Sequence, residues 1–215
     1  MFKIIICLLL FGASVFCKPL ESDFEKVENI CGISPALEKY GTNNTDRTLE
    51  GPVSKLGDWP WVVSLEFGCT ATLISDKWVL TAAHCVMISG VEVLVEVYAG
   101  SINTGEGQKL VVKNITYHHL YEYGGPHDIA LIEISKVKFT DKISPICLSS
   151  KLTNSPKNNS IAVGWGLTWD GHESEDTGLL HEDIIPIRPW KHCKHYNETK
   201  ELSDTEICAG KVVGH

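Results

Sequence analysis

A histidine in a turn of small residues is the first group in this chain that could transfer a proton. His84 lies in the segment Thr81-Ala82-Ala83-His84-Cys85, where Ala82 and Ala83 leave room beside the imidazole. Cys85 could tether the segment to another strand. A general base needs a fixed orientation and space for a nucleophile, and these neighbours suit both needs. We interpret His84 as a candidate general base, with a structural loop histidine as the alternative.

A second candidate, Asp128, directly precedes the apolar run Ile129-Ala130-Leu131-Ile132. An aspartate at the start of a buried strand is poorly placed to act as a surface charge. It could instead accept the Nδ1–H of an imidazole, which fixes the tautomer and stabilises the imidazolium. The alternative is a cap at the start of the strand. The motif around His84 favours the orienting role.

Short strands are predicted to position these residues. From residue 59 onward, apolar runs alternate with turns rich in Gly, Pro, Asn and Asp, and no segment has a sustained helical stripe. The run from Val91 to Tyr98 has a valine at every second position, which predicts one strand with a single buried face. Such spacing indicates an all-β barrel or sandwich. The other predicted strands are 61–65, 72–74, 78–80, 109–112, 129–132, 161–163 and 184–187.

The composition is typical of a globular protein with an apolar core. The chain has 215 residues, of which 43% are hydrophobic and 21% are charged, which suits one domain with appendages. The net charge is −8, and no block of Lys and Arg occurs. We therefore expect no nucleic-acid partner.

Residues 1–17 are predicted to be a secretory signal peptide. Lys3 supplies the positive start, a short apolar run follows, and Val15 and Cys17 suit cleavage before Lys18. The alternative is a membrane anchor, but the run is shorter than the roughly 20 apolar residues that a span needs. We expect a secreted, extracellular protein that does not bind a membrane.

Six cysteines follow the predicted signal peptide, and an even number in a secreted chain indicates disulfide bridges. The sequence alone does not choose among their pairings. A zinc site is the alternative, but no Cys-x-x-Cys pair occurs, and we interpret His192 and His195 as surface residues. The six are Cys31, Cys69, Cys85, Cys147, Cys193 and Cys208.

Four Asn-x-Ser/Thr motifs are candidate sites for N-linked glycans on exposed loops. A glycan at any of them would make the protein a glycoprotein. The acceptor residues are Asn43, Asn114, Asn158 and Asn197.

Residues 18–47 are polar and mixed in charge, and few of them could form a core. This composition indicates a linker or a pro-segment. The segment ends at Arg47, a basic residue in turn-rich surroundings. That context suits cleavage between Arg47 and Thr48 by a trypsin-like protease.

Several motifs resemble, as an ordered set, those of the trypsin/chymotrypsin-like serine protease family over residues 48–215. The resemblance implies an all-β, chymotrypsin-like double β-barrel, a zymogen, and protein or peptide substrates. The motifs are Trp59-Pro60-Trp61, Cys69 with Cys85, Thr81-Ala82-Ala83-His84-Cys85, Asp128-Ile129-Ala130-Leu131, Gly164-Trp165-Gly166 and Ile207-Cys208-Ala209-Gly210.

The resemblance also implies roles for individual residues. His84 matches the general base, Asp128 matches the orienting carboxylate, and an activating protease would cut after Arg47. No cofactor is implied, and the loop between Val97 and Val111 lacks the family's acidic calcium ligands, so we expect no metal. The implied bridges are Cys31–Cys147, which keeps a cleaved pro-segment attached, Cys69–Cys85 beside the histidine, and Cys193–Cys208 in the second barrel.

The chain departs from the family at the nucleophile. The family order is His, Asp, Ser, and the serine should follow Gly210 in a Gly-Asp-Ser-Gly segment that these residues do not contain. We expect a second barrel that is incomplete, a domain truncated before the catalytic serine, and a chain that is inactive alone. Thr48 also replaces the usual isoleucine of the new amino terminus. The alternative is a non-catalytic protease homologue that acts as a secreted binding glycoprotein.

Overall fold

A computed structural model of the protein describes residues 5–8, 16–19, 27, 29–41, 51–88, 90–149, 159–166, 178–189, 192–193 and 206–210. The predicted activation site at Arg47 and Thr48 lies outside the described residues. Three of the predicted glycan acceptors, Asn43, Asn158 and Asn197, lie outside them as well.

The amino-terminal part contains a small sheet and a short helix. Strands β1 (Ile5–Leu8) and β2 (Phe16–Pro19) pair antiparallel. They overlap the predicted signal peptide, whose removal stays a prediction. Helix α1 spans Ala36–Gly41, and the Ala36 N–H donates to the Ser34 hydroxyl at 3.1 Å, which satisfies an otherwise unpaired N–H of the first turn. Within the described part, no helix is long and apolar enough to cross a lipid bilayer.

The central region is built from short strands, as predicted. Seven of them form one antiparallel sheet in the order β10-β11-β5-β4-β3-β8-β9, and β6 pairs with β7 in a separate hairpin. The strands are β3 (Val62–Leu65), β4 (Thr70–Leu73), β5 (Trp78–Thr81), β6 (Met87–Ile88), β7 (Val91–Glu92), β8 (Val97–Ala99), β9 (Gln108–Leu110), β10 (Val112–Tyr117) and β11 (Ala130–Ile134).

The sheet curls around an apolar core. Alternate residues of β11 point inward, and Ile132 and Ile134 are completely buried, which is the two-residue period of a half-buried strand. The edge strands β9 and β10 are separated in sequence only by Val111. The chain therefore joins the two edges of the sheet at this point, and the sheet forms a nearly closed barrel with its core inside.

The single strand predicted over residues 91–98 is wrong. β7 pairs with β6, whereas β8 pairs with β3 in the barrel. One continuous strand cannot keep partners in two different sheets, so regular pairing stops between Glu92 and Val97. Val95 and Val97 are buried as the alternation predicted, but Val91 lies on the hairpin and is 63% exposed.

A second sheet follows the barrel in sequence. Strands β12 (Asn159–Gly164) and β13 (His181–Pro186) pair antiparallel along their whole length. An isolated bridge joins Val53 to His181, and another joins Ile187 to Ala209. The described part is therefore mostly β, and its barrel followed by a second sheet has the chymotrypsin-like arrangement that the motifs predicted.

Candidate active site

Strand register brings His84 and Asp128 together. β5 and β11 are antiparallel, with Thr81 opposite Ala130. In such a pair, the residues that follow one strand lie beside the residues that precede the other. His84 follows Thr81 and Asp128 precedes Ala130, so both leave the sheet at the same end. Two sites far apart in sequence thus become neighbours.

Asp128 contacts His84 through both carboxylate oxygens. Oδ2 accepts a hydrogen bond from His84 Nδ1 at 2.6 Å, and Oδ1 accepts one from the His84 backbone N–H at 2.9 Å. The side chains are 52% and 35% exposed for His84 and Asp128. Because Nδ1 carries the proton of this hydrogen bond, Nε2 is left as the basic nitrogen of the neutral ring. The exposed ring can thus accept a proton from a group outside.

The carboxylate is held in its ionised form by these contacts. Burial acts to raise the pKa of Asp128, but the hydrogen bonds from the His84 ring and backbone N–H, the charge interaction with that ring and the hydrogen bond from the Ala83 N–H together lower it by more. The pKa of Asp128 therefore lies below its usual value. An ionised Asp128 is what an imidazolium at His84 needs as a partner.

The turn that carries His84 is constrained at both ends. Ala83–Cys85 forms one 3₁₀ turn directly after β5, and Ala83 is completely buried. A disulfide joins Cys85 to Cys69, which lies just before β4. One end of the turn is thus fixed by the sheet and the other by a covalent bridge. These constraints hold the imidazole in one orientation toward Asp128.

The residue before Asp128 has a strained backbone. His127 has a φ of 64°, a left-handed conformation that non-glycine residues adopt rarely. The Ile129 N–H donates to the His127 carbonyl at 2.8 Å, so Asp128 stands at the centre of a tight turn. This turn aims the carboxylate back toward His84 instead of along the strand.

Stacked imidazoles support this turn, a feature that the sequence reasoning missed. The rings of His118 and His127 stack with centroids 4.5 Å apart. The ring of His119 also stacks on that of His118, with centroids 4.9 Å apart. Burial, followed by the neighbouring imidazoles, lowers the pKa of His118. The signal available in the sequence was three histidines between residues 118 and 127. Their spacing has no regular period, so it does not predict a stack.

The six cysteines that follow residue 17 are all bridged. The structure contains the disulfides Cys31–Cys147, Cys69–Cys85 and Cys193–Cys208. Sulfur atoms of Cys69 and Cys85 lie near His84, but a bridged sulfur is not a thiolate and is not available to hold a zinc ion. Within the described ranges, this is the one group of such side chains that is close enough to share a metal ion.

Asn114 is the predicted glycan acceptor that the structure describes. It lies on β10 with an exposed side chain, and its amide donates to the Thr116 hydroxyl at 3.3 Å. The glycan acceptor Asn114 and the hydroxyl residue Thr116 of this Asn-Ile-Thr motif therefore face the same side of the strand, where a transferase could reach them.

Comparison with known proteins agrees with this geometry. The Trypsin family model matches residues 49–215. The venom peptide isomerase heavy chain of Agelenopsis aperta is 33% identical over 183 residues, covering 74% of both chains. Transmembrane protease serine 11B of Homo sapiens is 32% identical, covering 86% of this chain and 45% of its own length. Phenoloxidase-activating factor 3 of Holotrichia diomphalia is 30% identical, covering 84% of this chain and 59% of its own.

Solved structures give the same result. A structure of HL collagenase has a TM-score of 0.65 and 27% identity, with 74% of this chain and 71% of that chain covered. The barrel, the His84–Asp128 contact and the match to the family model over most of the chain lead to one assignment: this chain belongs to the trypsin family of serine proteases.

Proposed function

We propose that this chain supplies the general base and the orienting carboxylate of a secreted serine endopeptidase. The observation that carries the proposal is the contact between His84 Nδ1 and Asp128 Oδ2 at 2.6 Å, together with the backbone bond that holds the same carboxylate. In the proposed organisation, residues 1–17 are a signal peptide, residues 18–47 a pro-segment and residues 48–215 the protease domain. Substrates are proteins or peptides.

The reaction begins with proton transfer at His84. Nε2 takes the proton of a serine hydroxyl while the oxygen attacks the scissile carbonyl, and it later returns the proton to the leaving amine. Asp128 stabilises the imidazolium that exists between the two transfers and prevents the ring from turning. A water molecule then attacks the acyl-serine ester, with Nε2 taking the proton of the water and returning it to the serine oxygen as the acid product leaves. Histidine, aspartate, serine and water account for every proton in these steps, so the proposal includes no cofactor.

The nucleophile is the part that these residues do not supply. None of the serines stands in a Gly-Asp-Ser-Gly or Gly-x-Ser-x-Gly context, and no described serine hydroxyl is hydrogen-bonded to His84. We propose that residues 1–215 alone do not hydrolyse peptide bonds. The base and carboxylate act only with a serine placed beside Nε2.

The proposal is tested with the protein expressed from its complete gene in a secreting host. The product is treated with a trypsin-like protease, which we propose cuts after Arg47, and hydrolysis of a mixed library of fluorogenic peptides is measured. We expect hydrolysis by the cut product and loss of nearly all of it in H84A. A cut product that is secreted, folded and unable to hydrolyse any peptide would favour a non-catalytic binding glycoprotein instead.

A further inference from the structure

Glu182 of β13 is a buried carboxylate that the proposed chemistry does not use. Only 1% of the residue is exposed. The Tyr40 hydroxyl donates to Oε1 at 2.5 Å, while the Ser54 hydroxyl and the Trp59 indole N–H donate to Oε2 at 2.8 and 2.5 Å. A carboxylate is stable in the interior only when its oxygens have such partners. Each donor is therefore part of what keeps Glu182 inside the fold.

The three donors come from different parts of the chain. Trp59 lies just before the barrel, and Ser54 belongs to a segment that contacts β13 through its own backbone, since a bridge joins Val53 to His181 and the Glu182 N–H donates to the Pro52 carbonyl at 3.1 Å. Tyr40 comes from α1, inside the proposed pro-segment. It precedes Arg47, whereas Ser54 follows Thr48. Glu182 thus binds both sides of the proposed cleavage site.

The other described residues of the segment 27–41 also pack against the fold, although the composition of residues 18–47, predicted to be a linker or a pro-segment, indicates few core residues. Val27 and Ala36 are 5% and 3% exposed. The Gly32 N–H donates to the Pro145 carbonyl at 2.9 Å, next to the bridge between Cys31 and Cys147. These contacts fix the amino-terminal half of the segment. Its carboxyl-terminal end is fixed at Tyr40.

The environment of Tyr40 favours a lasting contact. Its ring lies 6.0 Å from the Trp59 ring, centroid to centroid, so the side chain combines an aromatic contact with the hydrogen bond. Burial, the hydrogen bond to Glu182 and the nearby carboxylates raise the pKa of Tyr40 well above its usual value. The hydroxyl therefore keeps its proton and continues to donate throughout the working pH range.

We propose that Tyr40 and Glu182 form a noncovalent anchor that holds the segment 27–41 on the protease domain independently of the Cys31–Cys147 bridge. After cleavage, the segment would remain as a bound second chain even where the bridge is reduced. Tyr40 is then a positioning residue of that chain. The inference rests on the proposed function only for the cleavage after Arg47. The contact between Tyr40 and Glu182 does not depend on serine chemistry.

The test uses the full chain in a C31S/C147S background, so that no covalent link remains after cutting. Residues 43–47 are replaced by the recognition site of a sequence-specific endoprotease, which separates this test from the native activation site. Release of the amino-terminal piece is followed by size-exclusion chromatography and mass spectrometry. The variants are Y40F, which keeps the ring contact and removes the donor, and S54A, which removes another donor to the same carboxylate. Y123F, at an exposed tyrosine, is the matched control.

We expect the piece to stay bound in the bridge-free chain and in Y123F, and to be released about ten-fold or more faster in Y40F, because a hydrogen bond to a buried charged group is lost. S54A destabilises the domain but leaves the piece bound, a difference that a general loss of stability would not produce. Release at the same rate with and without the Tyr40 hydroxyl would overturn the proposal.

A second measurement covers the case in which the bridge-free Y40F chain does not fold. In the uncut chain with its bridges intact, hydrogen exchange of the amides of Ala36–Gly41 should be about ten-fold faster in Y40F than in Y123F, while the amides of β11 remain unchanged. Equal exchange in α1 of the two variants would overturn the anchor without any reference to cleavage or activity.

Discussion

At the scale of single residues, the notable feature is that one carboxylate binds His84 twice. Asp128 accepts from the Nδ1 of the ring and from the backbone N–H of the same residue. The backbone bond fixes where the carboxylate sits, and the ring bond then fixes the tautomer. The strained turn at His127 is the local cost of this orientation, and a strained backbone near a reactive group is common in enzymes.

The orienting role of Asp128 predicts a large effect for an isosteric change. D128N should lower kcat of the activated enzyme by about 10⁴-fold, because an amide would favour the wrong tautomer of His84. KM should change little, since Asp128 is not proposed to touch the substrate. The measurement is steady-state hydrolysis of a fluorogenic peptide.

The matched control for this variant is D141N, at an exposed aspartate outside the active site, which should keep wild-type activity within about two-fold. A D128N enzyme that retains kcat would contradict the orienting role.

Asp128 also predicts a pH dependence of folding stability. Its pKa is lower in the folded chain than in the unfolded chain, so ionised Asp128 adds stability above the unfolded pKa of about 3.9. That contribution is lost as the pH falls through the lower, folded pKa. The effect should stay near 1 kcal/mol or less, because a side chain that is 35% exposed is screened by water.

Denaturant unfolding of wild type and D128N between pH 2 and pH 7 measures this contribution. We expect the two free energies of unfolding to differ by about 1 kcal/mol or less. The difference should be greatest above about pH 5 and shrink toward low pH. A difference that grows as the pH falls would have the wrong sign for a carboxylate with a lowered pKa.

At the scale of elements, the sequence predicted most strands but not their partners. The apolar run 129–132 predicts a core strand, and the structure has β11 at Ala130–Ile134. The alternation over residues 91–98 predicts a single strand wrongly, because alternation reports burial and not pairing. The polar composition of residues 18–47 predicts a linker or a pro-segment and does not indicate that Val27 and Ala36 are buried. The contacts of the segment 27–41 are with residues distant in sequence, which local patterns do not report.

The barrel core makes a prediction about stability. Ile132, at the centre of β11, is completely buried. I132A should therefore lower the free energy of unfolding by about 2–5 kcal/mol, through lost burial and the cavity left behind. V111A, at a residue that is 64% exposed between the edge strands, should change it by no more than about 0.5 kcal/mol. Chemical denaturation of both variants measures the difference, and equal effects would contradict the assignment of the core.

At the scale of the whole molecule, the fold is held together by contacts between distant parts of the chain. The Cys31–Cys147 bridge joins the segment 27–41 to the chain that follows the barrel strands, and the hydrogen bond from Tyr40 to Glu182 joins it to β13. The motifs indicated the bridge through the family resemblance. Glu182 gave no signal, because a single glutamate in a strand is usually exposed and only the folded chain brings its donors together.

The proposed secretion of the chain predicts a modified surface. Asn114 is exposed on β10 beside Thr116, and we expect an N-linked glycan there when the chain is made in a eukaryotic secretory host. N114Q and T116A should each remove the same mass, as should peptide N-glycosidase treatment, whereas K113Q should not. Mass spectrometry of the secreted variants decides this. An unmodified Asn114 peptide in the secreted protein would contradict the prediction.

Labelling with a fluorophosphonate probe tests the central claim most directly, because the probe reacts only with a serine that a working base has activated. Three samples are compared after cleavage: the product of the complete gene, its H84A variant, and residues 1–215 expressed alone. We predict strong labelling of the first sample, severe loss of labelling in the second, and none in the third. Labelling of residues 1–215 alone, or an unlabelled complete product, would contradict the claim that His84 and Asp128 are the base and carboxylate of a serine endopeptidase whose nucleophile these residues do not contain.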